Sequence, residues 1–238
     1  MIGSSIVIDC YIAQVSFDKP SMSGLSMLSR FRGFLKPFFG LLARPFIALN
    51  IHPKWVTLLG VPFAAWAAYA YLSHDWLAAL ILVPLAGLWD ALDGTVARAQ
   101  KMQSLWGNYF ETMIDKVVEI LIFIGLAFVA PIAAITALGF GLLSSYAKPR
   151  AGLVIIMDNH DWPAIGEHAD KFAVLWLGTL WAALNPLQGV EILTSTLWLI
   201  SLIVIIGTAQ RMQYAKKLIA SAEKKGDILP YLKAGKER

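Results

Sequence analysis

Asp90-Ala-Leu-Asp93-Gly94-Thr-Val-Ala97-Arg98, then eight residues, then Gly107-Asn-Tyr-Phe-Glu111-Thr-Met-Ile-Asp115: this stretch sets four carboxylates and an arginine at the joined ends of two apolar segments. An Asp or Arg at the centre of a membrane helix costs about 2.5 to 3.5 kcal/mol even on insertion scales, so such groups mark functional sites. Spacing supplies the geometry. Residues three, four, seven and eight apart share a helix face, so Asp90, Asp93, Gly94, Ala97 and Arg98 form one stripe, and Gly107, Glu111 and Asp115 form another. A short turn at about 99–106 makes the two segments antiparallel neighbours, and the stripes then face each other. Four carboxylates in one small volume cannot all stay ionised without a cation among them. Oxygen donors without Cys or His suit Mg²⁺, Mn²⁺ or Ca²⁺ and argue against zinc. Gly94, Ala97 and Gly107 leave room for a ligand beside the backbone, or for tight helix packing, and Arg98 can grip a phosphate in a forked arrangement.

The surrounding chain is a membrane protein. Of 238 residues, 58% are hydrophobic and 15% charged, and the mean hydropathy is +0.62, far too apolar for an ordinary soluble domain. A helix needs about 20 residues to cross about 30 Å of hydrocarbon. Six such stretches are expected, at 55–73, 76–97, 107–130, 131–156, 170–186 and 190–215. Lys and Arg are retained in cytoplasmic loops; with six spans, Lys54, Arg98, Lys101, Lys148, Arg150, Lys171 and Arg211 all fall on one side. The opposite connections, near residues 73–75, 130–131 and 185–189, carry none. Both termini and the acidic stretch are therefore expected at the cytoplasmic face of the cell membrane. The net charge of +4 and pI of about 9.1 come from basic residues spread through loops that face anionic headgroups, so the expected partner is the lipid bilayer and not nucleic acid.

A single all-α domain is expected over 1–238. Residues 1–24 form a loosely held start, and no cleaved signal peptide is expected. Residues 27–49 mix Arg30, Lys36 and Arg44 with Phe31, Phe34, Phe38, Phe39 and Phe46, which suits an interfacial amphipathic helix. Pro37 and Pro45 are expected to interrupt or kink it; a re-entrant or juxtamembrane loop is the alternative. The six-span bundle occupies about 55–215, and 216–238 is a cytoplasmic tail, helical until Gly226. Cys10, the only cysteine, excludes an internal disulfide. Thr57 either approaches the site or belongs to a helix-cap region. Glu119, one turn beyond Asp115, is read as an acid beside the site or in a wet groove. His52, His74 and His160 are read as loop or interfacial residues, and Trp55, Trp76, Trp106 and Trp162 as interface anchors.

The acidic stretch resembles the signature of the CDP-alcohol phosphotransferase family, Asp-x2-Asp-Gly-x2-Ala-Arg-x8-Gly-x3-Asp-x3-Asp. Every spacing is retained and seven of eight fixed positions are identical; Glu111 stands where the family has its third Asp. The resemblance implies a helical membrane bundle and a transferase. In it Asp90, Asp93 and Glu111 hold two divalent ions, Mg²⁺ or Mn²⁺, on the pyrophosphate of a CDP-linked lipid, with Asp115 touching one of them. Gly94, Ala97, Arg98, Gly107 and Thr57 line the CDP pocket. Asp115 acts as base on the acceptor hydroxyl, which attacks the β-phosphorus and releases CMP. Ser145, Lys148, Lys171 and Arg211 are similar to the acceptor-phosphate residues of the branch that uses inositol phosphate, with Lys171 where that branch has Arg. Inositol phosphate is thus the first expected acceptor, then glycerol 3-phosphate, then serine; the donor is a diacylglycerol or archaeol CDP-lipid, or a soluble CDP-alcohol. A homodimer is common in such families. Two other classes fit intramembrane acids: a small cation transporter, which needs polar groups at the midplane reachable from both sides, and a scaffold without catalysis, for which Glu111 is the only hint.

Overall fold

A computed structural model describes residues 27–156, 162, 164–227 and 229, with side chains from residue 38 onward. Cys10, the start at 1–24, His160 and the end of the tail at 230–238 lie outside the described residues. Those described are helical and contain no strand: α1 Met27–Ala48, α2 Pro53–Leu58, α3 Gly60–Leu72, α4 Trp76–Ala99, α5 Leu105–Val129, α6 Pro131–Gly152, α7 His168–Leu184, a 3-10 turn Pro186–Gln188, and α8 Gly189–Lys225.

Every expected span falls on a helix, the first on α2 and α3 together. Three stretches among the described residues, Pro53–Leu72, Trp76–Ala99 and Pro186–Lys225, are long and apolar enough to cross a membrane. Of the others, α5 carries Glu111, Asp115, Lys116 and Glu119, and α7 has 17 residues. Side-chain sizes are arranged for a lipid solvent. Ala64, Ala67, Ala70, Ala79, Ala86, Ala133, Ala134, Ala137 and Ala182 are buried, whereas Trp66, Phe128, Ile132, Trp181 and Leu184 are exposed. Small residues inside let backbones approach, which is how helices associate where the surroundings are as apolar as the core. Gly125 shows how close: a Cβ there would lie 2.4 Å from the Ala68 carbonyl oxygen of α3.

The long helices pack in a closed ring, α3 on α5, α5 on α6, α6 on α8, α8 on α7, α7 on α4 and α4 on α3. Polar side chains stitch it inside: Tyr71 Oη pairs with Thr179 Oγ1 at 2.7 Å, Ser201 Oγ donates to Ala133 O at 3.2 Å, and Thr208 Oγ1 to Phe140 O at 3.1 Å. Such bonds satisfy hydroxyls that have no water to turn to. At one end of the ring, α1 and α2 lie against α4. There Ala43, Val56, Leu92 and Val96 are buried together, and Phe46 meets Trp89 edge-on at 6.0 Å.

Several boundaries differ from the sequence expectation. Pro37 and Pro45 do not end α1; Pro45 sits in the last turn, and its carbonyl still accepts from Leu49 N at 3.0 Å. The fourth span stops at Gly152 and not at 156, because the chain turns to pair with the segment after α8: Ile156 N donates to Asp227 O at 3.0 Å, and Leu229 N to Val154 O at 3.3 Å. The last helix continues for 37 residues to Lys225 and closes on Gly226, whose φ of 77° is the left-handed cap that glycine adopts freely. At 1.5 Å per residue it is about 55 Å long, well beyond the hydrocarbon thickness. The tryptophans divide: Trp55 and Trp106 are exposed, but Trp76 and Trp162 are buried, packed against His74 and Tyr214 respectively.

Candidate active site

Two short-range signals aim the signature helices. Ser104 caps α5, its hydroxyl accepting from Gly107 N at 2.9 Å, and the α4–α5 turn is pinned by Gln100 Nε2 donating to Ile51 O at 3.2 Å. Along their length α4 and α5 touch less than each touches α3, so the ends that carry the signature enclose a cavity of about 250 Å³. Thr57, Asp93, Gly94, Ala97, Arg98, Gly107 and Glu111 all line it, together with Lys54, Ser104, Asn108 and Phe110. Seven of the residues singled out from sequence therefore meet in one hollow. Lys54 and Ser104 had only weak signals: Lys54 stacks over the Trp106 ring at 5.9 Å, and Ser104 lies three residues before Gly107, a helix-start spacing.

One oxygen each from Asp90, Asp93 and Glu111 lies within 4.8 Å of the other two. Asp93 is 2% exposed. The buried Thr57 hydroxyl donates to its Oδ2, while its Oδ1 is buried with no hydrogen-bond partner among the described residues. An orphaned carboxylate oxygen in a buried place is costly unless a cation meets it. Asp115 follows Glu111 by one turn of α5 and interacts electrostatically with Asp90; neighbouring carboxyls favour a proton or a cation between them. The donor set is all oxygen, convergent and partly buried, and so it fits a divalent metal. Thr57 acts on the carboxylate directly, which the helix-cap alternative did not contain. His52 is the residue that caps α2, its Nδ1 accepting from Lys54 N at 3.3 Å.

The residues expected around the acceptor lie on α6, α7 and α8. Arg211 on α8 donates through Nη1 to Ser144 O at 2.9 Å and through Nη2 to Glu167 Oε1 at 3.0 Å; its Nε is buried without a partner among the described residues. Ser145 Oγ bonds back to Gly141 O at 3.0 Å, and Lys148 lies one turn beyond Ser144 on α6. Lys171 is 3% exposed, and its ammonium rests on Glu119. Glu119 itself is fully buried. It also receives Lys116 Nζ at 2.8 Å and lies 3.3 Å from His168 Nδ1. It faces no wet groove. The sequence pointed to its position on the Glu111–Asp115 stripe but not to this role, because two of its partners, His168 and Lys171, come from α7, 49 and 52 residues away.

Known proteins resemble this chain in sequence and in fold. The chain is 27% identical to the archaetidylinositol phosphate synthase of Methanothermobacter thermautotrophicus over 158 residues, 65% of this chain and 78% of that one. It is 26% identical to the enzyme of the same name from Pyrococcus horikoshii over 80% of this chain and 97% of that one. The fold matches that of Mycobacterium tuberculosis phosphatidylinositol phosphate synthase, solved with CDP-DAG bound, with a TM-score of 0.64 at 21% identity over 74% of this chain and 92% of that one. The same enzyme has been solved with manganese and citrate, again with a TM-score of 0.64 and 21% identity, over 74% of this chain and 88% of that one. Residues 50–208 match the family model, a stretch that runs from the loop before α2 to Thr208 on α8 and takes in both the acidic cluster and the cavity beside it. With its oxygen-only cluster, its apolar helices and that match, the chain is a membrane transferase and belongs to the CDP-alcohol phosphatidyltransferase family.

Proposed function

We propose that this protein transfers a phosphatidyl-type group from a CDP-linked lipid to a hydroxyl of inositol phosphate, releasing CMP, at the cytoplasmic face of a six-span bundle preceded by an interfacial helix. The observation that carries the reading is the convergence of Asp90, Asp93 and Glu111 at a cavity lined by Gly94, Ala97, Arg98 and Gly107. The acceptor assignment is supported by the relatives' names and by the basic residues beyond Asp115.

Each side chain then has a task. Two divalent cations, Mg²⁺ or Mn²⁺, when bound by Asp90, Asp93 and Glu111 with Asp115 adjoining, would neutralise the donor pyrophosphate and the charge that develops in transfer. Thr57 holds Asp93 in one orientation through its hydroxyl. Arg98 offers a forked donor to a donor phosphate, and Gly94, Ala97 and Gly107 leave space for the cytidine and its phosphates. Asp115 takes the proton of the acceptor hydroxyl. The freed oxygen forms its bond to the β-phosphorus, the bond from that phosphorus to the bridging oxygen breaks, and CMP departs with the electron pair. Ser145, Lys148 and Arg211 hold the acceptor phosphate; Lys171, expected with them, is buried against Glu119 and bears on the acceptor only through that pair.

The test uses purified protein with CDP-diacylglycerol or CDP-archaeol, Mg²⁺ or Mn²⁺, and inositol 1-phosphate, glycerol 3-phosphate or serine in turn. Metal-dependent CMP release is expected first with inositol 1-phosphate. Release with serine alone would overturn the acceptor assignment, and release with none would overturn the reaction.

A further inference from the structure

Among the described residues, Glu119 is a fully buried acid with three cationic or imidazole partners. It lies on α5 one turn after Asp115 and two after Glu111, fully buried. Its two oxygens are divided. Oε1 takes the Lys171 ammonium from α7, while Oε2 takes Lys116 Nζ at 2.8 Å and faces His168 Nδ1 at 3.3 Å. Gly141 of α6 closes the third side: a Cβ there would lie 2.7 Å from Lys171 Nζ and 3.4 Å from Glu119 Oε1. Three helices thus meet at one carboxylate.

The two lysines are not equivalent. Lys171 is 3% exposed and spends its charge on Glu119, so it has little left to offer a ligand. Lys116 keeps 22% of its side chain exposed, directly follows Asp115 in the chain and is electrostatically coupled to it. A lysine is a flexible point charge on a four-carbon stem, and an ammonium held at one oxygen retains two further protons to donate.

We propose that Glu119 is a positioning residue for the transfer: by holding Lys116 on the helical turn that carries Asp115, and by taking up the charge of Lys171, it makes Lys116 a further cation, beside Lys148 and Arg211, that meets the anionic group of the acceptor. The proposal rests on a phosphorylated acceptor, as argued above. Glu119 touches no reacting atom; it acts through Lys116. Lys171 supplies the opposing charge without which a buried Glu119 could not stay ionised.

The experiment measures CMP release by the full chain with inositol 1-phosphate and CDP-lipid varied separately. Glu119→Gln leaves Lys171 buried without its acid and risks misfolding, so the decisive variant is the double Glu119→Gln, Lys171→Met, which removes both buried charges together. It is expected to melt like the wild type while the acceptor KM rises by about tenfold to a hundredfold, the usual weight of a hydrogen bond to a charged group, and the donor KM stays put. Lys116→Met is expected to show the same split. A wild-type acceptor KM in the folded double variant would mean that Glu119 serves only to neutralise Lys171, and an unchanged acceptor KM in Lys116→Met would equally overturn the proposal. A wild type that releases CMP only with unphosphorylated acceptors would instead remove the reading on which it rests, visible before any variant is made.

Discussion

The two charged regions on either side of Asp115 are built on opposite electrostatic plans. At the signature, Asp90, Asp93 and Glu111 converge with a hydroxyl from Thr57 and with Arg98 at the rim, and a buried Asp93 oxygen lacks any partner among the described residues. On the other side each acid has its base: Glu119 holds Lys171 and Lys116, and Glu167 holds Arg211. Unbalanced charge in a low-dielectric setting shows where a ligand's charge is to arrive. Balanced charge fixes helices and aims the few groups left over. On the proposed reading, one fold would carry a metal and nucleotide site made by deficit and an acceptor site made by positioning.

The largest test of that contrast is metal removal. Stripping divalent ions with a chelator should abolish CMP release, and either Mg²⁺ or Mn²⁺ should restore it; activity that survives exhaustive chelation would break the deficit half of the comparison. Next comes Asp115→Asn, which should lower kcat by about a hundredfold to ten-thousandfold, the usual worth of a positioned base, with the acceptor KM little changed.

Arg211→Ala addresses the balanced side and should raise the acceptor KM by about tenfold to a hundredfold for a phosphorylated acceptor, much less for serine. Equal effects on both acceptors would show Arg211 to be structural, through Ser144 and Glu167 alone. Thr57→Val removes one hydrogen bond to Asp93 and should raise the metal concentration for half-maximal activity by about tenfold. Glu111→Asp, one methylene shorter, should shift the Mg²⁺ to Mn²⁺ preference by only a few-fold and leave the reaction intact.

The signature side was legible from the chain because its information is local. Helical period and an eight-residue gap are enough to bring Asp93, Gly94, Ala97, Arg98, Gly107 and Glu111 to one cavity. The helices themselves were legible for the same reason, long apolar runs ended by Pro, Gly and charge. What could not be read was anything that depends on which helix neighbours which. Thr57 reaches Asp93 across 36 residues, and Lys171 reaches Glu119 across 52. From the chain alone Lys148, Lys171 and Arg211 look alike; only the ring order of α5 to α8 tells that Lys171 is already spent on Glu119. The burial of Trp76 and Trp162 was illegible for the same reason, since it depends on His74 and on Tyr214 of α8 as neighbours.

The central claim is that the Asp90, Asp93 and Glu111 cluster holds the divalent ions of a CDP-dependent transfer. Its most direct test is the metal dependence of CMP release from CDP-lipid and inositol 1-phosphate, wild type against Asp93→Asn. The wild type should respond to Mg²⁺ or Mn²⁺, and Asp93→Asn, folded and melting normally, should show almost no metal-stimulated release. Metal stimulation of Asp93→Asn at the wild-type level would contradict the account.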